Sequence, residues 1–552
     1  MASAPDLIIT GAAVETLADP GAAARAAAAG VAVRGGILEA VARDDELRAM
    51  VGPGTRLIEL RGQTLLPGFV DAHIHAVQGG LLYAHCDLNA LPDAAAYLAE
   101  VTRFAAAHPE RSWIEGAGWA MPAFTGGNPH REELDRAIPD RPVFLESRDG
   151  HSAWVNARAL EAAGIGPGTP DPPDGRIERD ADGSPTGTLH EGAVELLRRL
   201  LPSPGPDELR EALLAAQRYL HALGLTAWQD AYVPPAELAA YRAAAEAGTL
   251  TARVVAAQAW DTARGLEQID ELAARREASR TQPNRLRADS VKFFVDGIIE
   301  NGTALMTEPY LDLDGRLTAN RGLPMVDPEL LRAAVQELDR IGFQCHFHAI
   351  GDGAIRLALD CVAAARMANG RSDRRHHIAH LELINPADIA RFAGLEVVAN
   401  IQPIWATYDR QMLDLRIPVL GPGRVGWQYA FASLERSGAR LAGGSDWTVS
   451  TPNPLLEVEA AMSRVDVDTR DAEPFLPDQR LSLDTALRAY TIGSAFVNHR
   501  DETTGTIEVG KQADLVILDR DLRADARKPV GDARVLATFV AGVEVYRAEE
   551  DW

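Results

Sequence analysis

Short apolar runs rich in Val, Ile and Phe alternate along the chain with longer segments in which Leu and Ala recur at helical spacing. Thr64–Asp71, Val143–Ser147, Leu225–Gln229, Ser290–Val295, Gln344–His348, His376–His380, Glu396–Ile401 and Arg440–Gly444 read as strands. Asp207–Leu223 and Gly353–Ala368 read as amphipathic helices between them. This alternation calls for parallel strands joined by crossover helices, and eight such strands suit a closed barrel. Gly164–Gly187, crowded with Pro, Gly and Asp, reads as a loop or small hairpin insertion.

The two ends follow a different pattern. Asp6–Leu17 and Gly30–Val41 read as short strands separated by an alanine-rich loop. Near the other end, Gly505–Val509 turns at Gly510-Lys511-Gln512 into Ala513–Asp519, and Val535–Tyr546 adds further strand pattern. Because termini often lie close together, both β-rich ends are expected to join one small domain. The expected division is residues 1–64 plus 497–552 for that domain and 65–496 for the barrel.

At 552 residues the chain is too long for one compact core, and its 46% hydrophobic and 24% charged content is that of a globular protein. The 55 basic and 79 acidic residues leave a net charge of -24, which repels phosphate backbones and anionic lipid surfaces. Nucleic acid and membranes are therefore excluded as expected partners. Cys86, Cys345 and Cys361 form no CxxC pair and read as reduced thiols. No apolar stretch approaches the length of a membrane span, and Met1–Asp6 does not open a secretory leader, so a cytoplasmic location is expected. On that reading the glycosylation spelling Asn301-Gly302-Thr303 is incidental.

Polar residues gather at the C-terminal ends of the expected strands, the face on which barrel enzymes place their sites. His73 and His75 stand two apart on one strand and share a face, so both can grip one metal ion. Lys292 places a cation in an apolar strand, where it must shift its pKa, find an acid such as Asp296 or Glu300, or be modified. Either His346 or His348 could be a ligand. His348 lies nearer the barrel mouth and is favoured. His380 ends its strand, whereas His376 and His377 read as packing or surface residues. Asp446 ends an apolar strand, and a carboxylate beside a metal-bound water is a hydrolytic arrangement.

Two glycine-rich matches lead elsewhere and are set aside. Gly421-Pro422-Gly423-Arg424-Val425-Gly426 has dinucleotide-fingerprint spacing but carries a stiffening proline late in the chain, and reads as a loop. Gly505 to Lys511 has phosphate-loop spacing, but Gln512 replaces the Ser or Thr that would hold magnesium.

With these residues in order, the chain resembles the amidohydrolase superfamily, and within it the family-3 branch of YtcJ-like proteins that includes N-substituted formamide deformylases. The matching motifs are Leu66 to His75, Asp149-Gly150-His151-Ser152-Ala153-Trp154-Val155-Asn156, Val291 to Gly297, His348 to Asp352, Gly444 to Trp447 and the hairpin from Gly505 to Asp519. The resemblance implies a TIM-like (β/α)8 barrel in the α/β class, a composite β-sandwich from both termini, and an inserted α+β subdomain at about 85–220 that helps cover the site. It implies that His73 and His75 hold a more buried metal and His348 and His380 a more exposed one. Lys292, carboxylated on its amine, would bridge two Zn2+, and Asp446 would bind metal and act as general base. Ala379, where Glu is common, and Ile298 to Thr303, where a Gly-, Ser- and Arg-rich version is common, set this chain apart.

The activity so implied is metal-dependent hydrolysis of a non-peptide C–N bond in an amide or an N-acyl or N-formyl amine, by metal-activated hydroxide. Trp119, His151, Trp154, Glu300 and Trp447 are the candidate substrate-pocket residues, with core or lid packing the competing reading for each aromatic. Two alternatives keep the fold: a one-metal deaminase and a lactone or ester hydrolase. A non-catalytic scaffold ranks last, because all six ligand positions carry usable ligands. The expected partner is a small-molecule substrate, with a homodimer as the candidate assembly.

Overall fold

Eight parallel strands carry the middle of the chain: β1 (Phe69–Ile74), β2 (Leu225–Val233), β3 (Arg253–Ala259), β4 (Leu286–Phe294), β5 (Gln344–Ala349), β6 (His377–His380), β7 (Val398–Ile401) and β8 (Leu441–Gly443). In this computed structural model, which describes residues 4–18, 29–524 and 527–549, they pair in sequence order as one sheet. The mouth is drawn together between β8 and β1, where Asp446 N donates to His73 O and His75 N to Trp447 O, both at 2.7 Å. The result is a nearly closed TIM-like barrel.

Strand alternation sorts the side chains. Val291 and Phe293 on β4, and Cys345 and Phe347 on β5, join the main hydrophobic core against the helices. Lys292, His346 and His348 therefore turn to the barrel axis. The helix Pro328–Arg340 shows how the outer layer is specified. Asp327 caps it by accepting from Glu329 N and Leu330 N, and Leu331, Ala334, Val335 and Leu338 bury one face. Gly342, at φ 95°, turns the chain into β5.

Two further sheets come from the chain ends. One orders Ile37–Ala42, Gly30–Arg34, Leu7–Thr10 and Arg56–Glu59, and the other Ala13–Val14, Thr64–Pro67, Leu515–Leu518, Val535–Val540 and Val543–Arg547. A single apolar cluster, including Ile9, Val33, Leu65, Leu515 and Phe539, joins them. A six-stranded sheet follows β1 and its helix, ordered Gly175–Arg179, Pro185–Glu191, Ser152–Val155, Val143–Ser147, Ile114–Trp119 and Cys86–Asp87. Its core includes Trp119, Leu145 and Trp154 together with Ile298, Ile299 and Ile350 from the barrel mouth, so this insertion is packed onto the barrel.

The expected elements need five corrections. Val143–Ser147 belongs to the inserted sheet and not to the barrel, because an apolar run does not say which sheet it joins. The missing barrel strand is Arg253–Ala259, whose alanines disguised it. The expected single strand Thr64–Asp71 is two, broken at Gly68, where any side chain would strike Thr226. The glycine-rich run at 421–426 lies in a helix, Ile417–Val425, kinked at Gly421 (φ 75°), and not in a loop. Residues 505–509 form no strand, and the strand after them is limited to Leu515–Leu518. The alanine-rich stretch 19–28, expected to be a loop, lies outside the described residues. Among the described residues no helix is long and apolar enough to cross a membrane.

Candidate metal centre

The motif around the first two histidines is built to hold them rigidly. Asp71, fully buried, accepts from the backbone N–H of His73 at 2.9 Å and from that of Ser445 at 3.1 Å. One carboxylate thereby locks the end of β1 to the turn that carries Asp446. That turn holds Asp446 at φ 54°, a left-handed conformation that a non-glycine residue adopts only under constraint.

This places Asp446 Oδ1 3.2 Å from His73 Nε2 and 3.1 Å from His75 Nε2. Donor atoms of these three residues lie within 4.8 Å of one another, the only such group among the described residues. Lys292 Nζ stands 3.4 Å from His73 Nε2, and His380 Nδ1 stands 4.0 Å from Asp446 Oδ2. His348 packs against His380 with ring centroids 4.4 Å apart, and its Nε2 lies 3.3 Å from Gly297 O. The structure thus brings all six expected ligands to one end of the barrel, in a tight trio with the other three around it.

Whether a cation fits can be asked of the polar atoms. His75 Nδ1, His380 Nδ1 and Asp446 Oδ1 are buried and make no hydrogen bond, although Asp446 Oδ1 has two imidazole nitrogens close by. Buried orphans of this kind are costly, and convergent nitrogen and oxygen donors of this type suit a divalent ion such as zinc. The residues present therefore fit a metal.

Burial sets the charges. It pushes His73 down to about 3, with Lys292 adding to the effect, and holds His348 and His380 well below the usual histidine range, so all three offer neutral nitrogens. Burial also lowers Lys292 to about 7, partly offset by Asp446 and Asp230. Burial alone would raise Asp446, but His73, His75 and His380 keep its carboxyl well below the usual range.

The expected pocket residues divide. His151 arrives from the inserted sheet with its ring 5.0 Å from His348, and its Nδ1 bonds Glu191 Oε2 at 2.8 Å. Burial would lower His151, but Glu191 and then Asp149 raise it to about 9. Trp447 is partly buried on Gly79, next to Tyr219. Glu300 is turned to Arg416 and Gln411, at 2.5 and 2.6 Å. Trp119 and Trp154 are fully buried, their ring N–H groups donating to Leu145 O and His130 O, so they pack the insertion core and do not reach the cluster. Asn156, from the same motif as His151, is a structural clamp: it caps the helix Ala157–Ala163 and binds Ile138 O and Arg141 O. Sequence reasoning missed Asp71 and Glu191. Asp71 had a signal, since an acid two residues before His73 in an apolar strand needs a buried partner.

The amidohydrolase family profile matches residues 56–546. Protein LONG AFTER FAR-RED 3 of Arabidopsis thaliana is 33% identical, the match covering 94% of this chain and 88% of that protein. The YtcJ amidohydrolase of Bacillus subtilis is 30% identical over 94% and 95%. The N-substituted formamide deformylase of Arthrobacter pascens is 28% identical over 98% of each chain. Among solved structures, an uncharacterized metal-dependent hydrolase from Pyrococcus horikoshii superposes with a TM-score of 0.73 at 25% identity, covering 95% of this chain and 99% of that one.

Proposed function

The chain belongs to the amidohydrolase family and is a hydrolase of carbon–nitrogen bonds, and on that premise we propose that its substrate is an amide of the N-acyl or N-formyl amine type. The observation that carries this reading is the convergence of His73, His75 and Asp446 at the C-terminal mouth of the barrel. The similarity to a formamide deformylase over almost the whole chain supports the choice of bond.

His73, His75 and Asp446 would hold one divalent metal, with Lys292, His348 and His380 placed to hold a second. The metal supplies Lewis acidity, which makes a water nucleophilic near neutral pH and polarises the substrate carbonyl. Asp446 takes the proton from the attacking water and returns it to the departing amine nitrogen. Lys292 has a physical reason to be carboxylated: its lowered pKa leaves a neutral amine accessible near pH 7, and a neutral amine adds CO2 with loss of one proton. The carbamate would replace an unfavourable buried cation by an anionic oxygen ligand. His151 and Trp447 border the substrate space.

A one-metal site is the second reading. It is favoured by the fact that only the trio has its donor atoms drawn together, while His348 Nε2 turns towards Gly297 O. Such a site would suit deamination of a heterocycle or opening of a lactone or ester.

The test is a panel of N-formyl, N-acetyl and longer N-acyl amines offered to zinc- or cobalt-replete protein, with amine release measured. Release that disappears in Asp446→Asn supports the amide reading. Turnover of lactones or heterocycles with no amine released from any member of the panel overturns it.

A further inference from the structure

Behind the metal cluster lies a second tier of buried polar side chains to which the reaction above gives no role. His346 on β5, His377 on β6 and Asn400 on β7, with Gln402 just beyond β7, are all inaccessible to solvent. Their hydrogen bonds can be oriented from one end, because a backbone N–H only donates. His380 N–H donates to Gln402 Oε1 at 2.8 Å, which directs Gln402 Nε2 to Asn400 Oδ1 at 3.0 Å. Asn400 Nδ2 then donates to Ala72 O at 2.9 Å and to His377 Nδ1 at 3.1 Å. His377 is therefore protonated on Nε2, an atom with no partner.

The His377 ring lies against that of His346, with centroids 3.9 Å apart and planes inclined by 38°. His346 Nε2 in turn lies 2.8 Å from His73 Nδ1, while His346 Nδ1 has no partner. One proton sits between His346 Nε2 and His73 Nδ1, and its owner decides what His73 can do. His73 Nε2 is the nitrogen that faces Asp446 and Lys292. To offer a lone pair there, the neutral imidazole must carry its proton on Nδ1, and Nδ1 must find an acceptor. His346 Nε2 is that acceptor.

We infer that His346 is a positioning residue that fixes the tautomer and ring angle of His73, with the column His377–Asn400–Gln402 holding its own ring in place. The inference rests on the metal-site reading and adds to it a residue outside the six ligands. The column also ties two ligands together, since it begins at the backbone of His380 and ends at the ring of His73. His346 Nδ1–H is then left without a hydrogen-bond partner, its ring lying against those of His73 and His377.

The experiment compares wild type, His346→Gln and His346→Leu in the metal-free form and on titration with Co2+. Glutamine sets an amide oxygen near the place of imidazole Nε2 and can accept the same hydrogen bond; leucine cannot. Cobalt affinity is expected to fall about 10- to 100-fold in the leucine variant and to stay within about threefold of wild type in the glutamine variant. The metal-free unfolding midpoints of the two variants should match, which separates positioning from packing. Equal losses in both variants, or an unchanged affinity in the leucine variant, overturn the inference. Should the leucine variant not fold, 15N spectra of histidine-labelled, zinc-loaded wild type decide: an unprotonated His346 Nε2 supports the assignment and a protonated one overturns it. Wild-type protein that binds no cobalt overturns the metal reading and this inference together, whereas normal binding in both variants overturns this inference alone.

Discussion

Arg253 grips Asp514 through two parallel hydrogen bonds, Nε to Oδ2 at 2.6 Å and Nη2 to Oδ1 at 2.9 Å, with both side chains about 95% hidden from solvent. Arg253 opens barrel strand β3, and Asp514 immediately precedes the terminal-sheet strand Leu515–Leu518, so the pair bolts one unit to the other. Removing one partner strands a buried charge. Arg253→Met or Asp514→Leu alone is expected to cost about 3–5 kcal/mol in urea unfolding, while the double substitution should recover most of it. Additive losses would show that the pair acts only through packing.

Gly444 is where the site tolerates no side chain. A Cβ there would stand 2.6 Å from His73 Cβ and 2.9 Å from Asn400 Oδ1. Gly444→Ala keeps every ligand, yet is expected to weaken metal binding by at least about tenfold, because the wall that orients His73 has to move. Metal titration of the purified variant checks this.

The number of metals turns on Lys292. Metal analysis of wild type should give about two equivalents per chain, falling to about one in Lys292→Ala, if the lysine bridges a pair of ions. One equivalent in both proteins selects the one-metal site. Treatment with a chelator should abolish turnover in either case, and added zinc or cobalt should restore it.

A pH effect on stability is expected away from the site. His221 is buried, bonded through Nδ1 to Leu225 O and through Nε2 to Thr251, and burial lowers it from 6.5 to about 4. The unfolded state then takes up the proton first as the pH falls. The stabilisation is fully present above pH 6.5, declines as the pH falls towards 4, and is flat below. Unfolding free energies at pH 7 and pH 4 should differ by about 3 kcal/mol more in wild type than in His221→Gln.

What could be read from the sequence follows from how local each signal is. The lone carboxylate of Asp446 and the alternating histidines of β1 and β5 stand out because polar residues in apolar strands need a reason. Family motifs then ordered them along the chain. Strand Arg253–Ala259 escaped because alanine favours helices as readily as buried strands, and Val143–Ser147 was placed in the wrong sheet because pairing partners are set by distant segments. Trp119 and Trp154 looked like pocket walls until their ring N–H groups were seen bonded to backbone carbonyls inside the insertion. His346 and His377 were passed over for a related reason. Their value lies in which nitrogen meets which neighbour, and that is a property of four strands at once.

The strand Thr64–Pro67 lies between Ala13–Val14 and Leu515–Leu518, and Gly68 N donates to Asp514 O just before β1 begins. His73 and His75 therefore hang from a strand whose seat is supplied by the far end of the chain. A ribosome delivers these two ligands early and the segment that steadies them late. The nascent chain carries the histidine pair before the strand that seats it exists, so the pair gains its full support only once residues near 515 have docked.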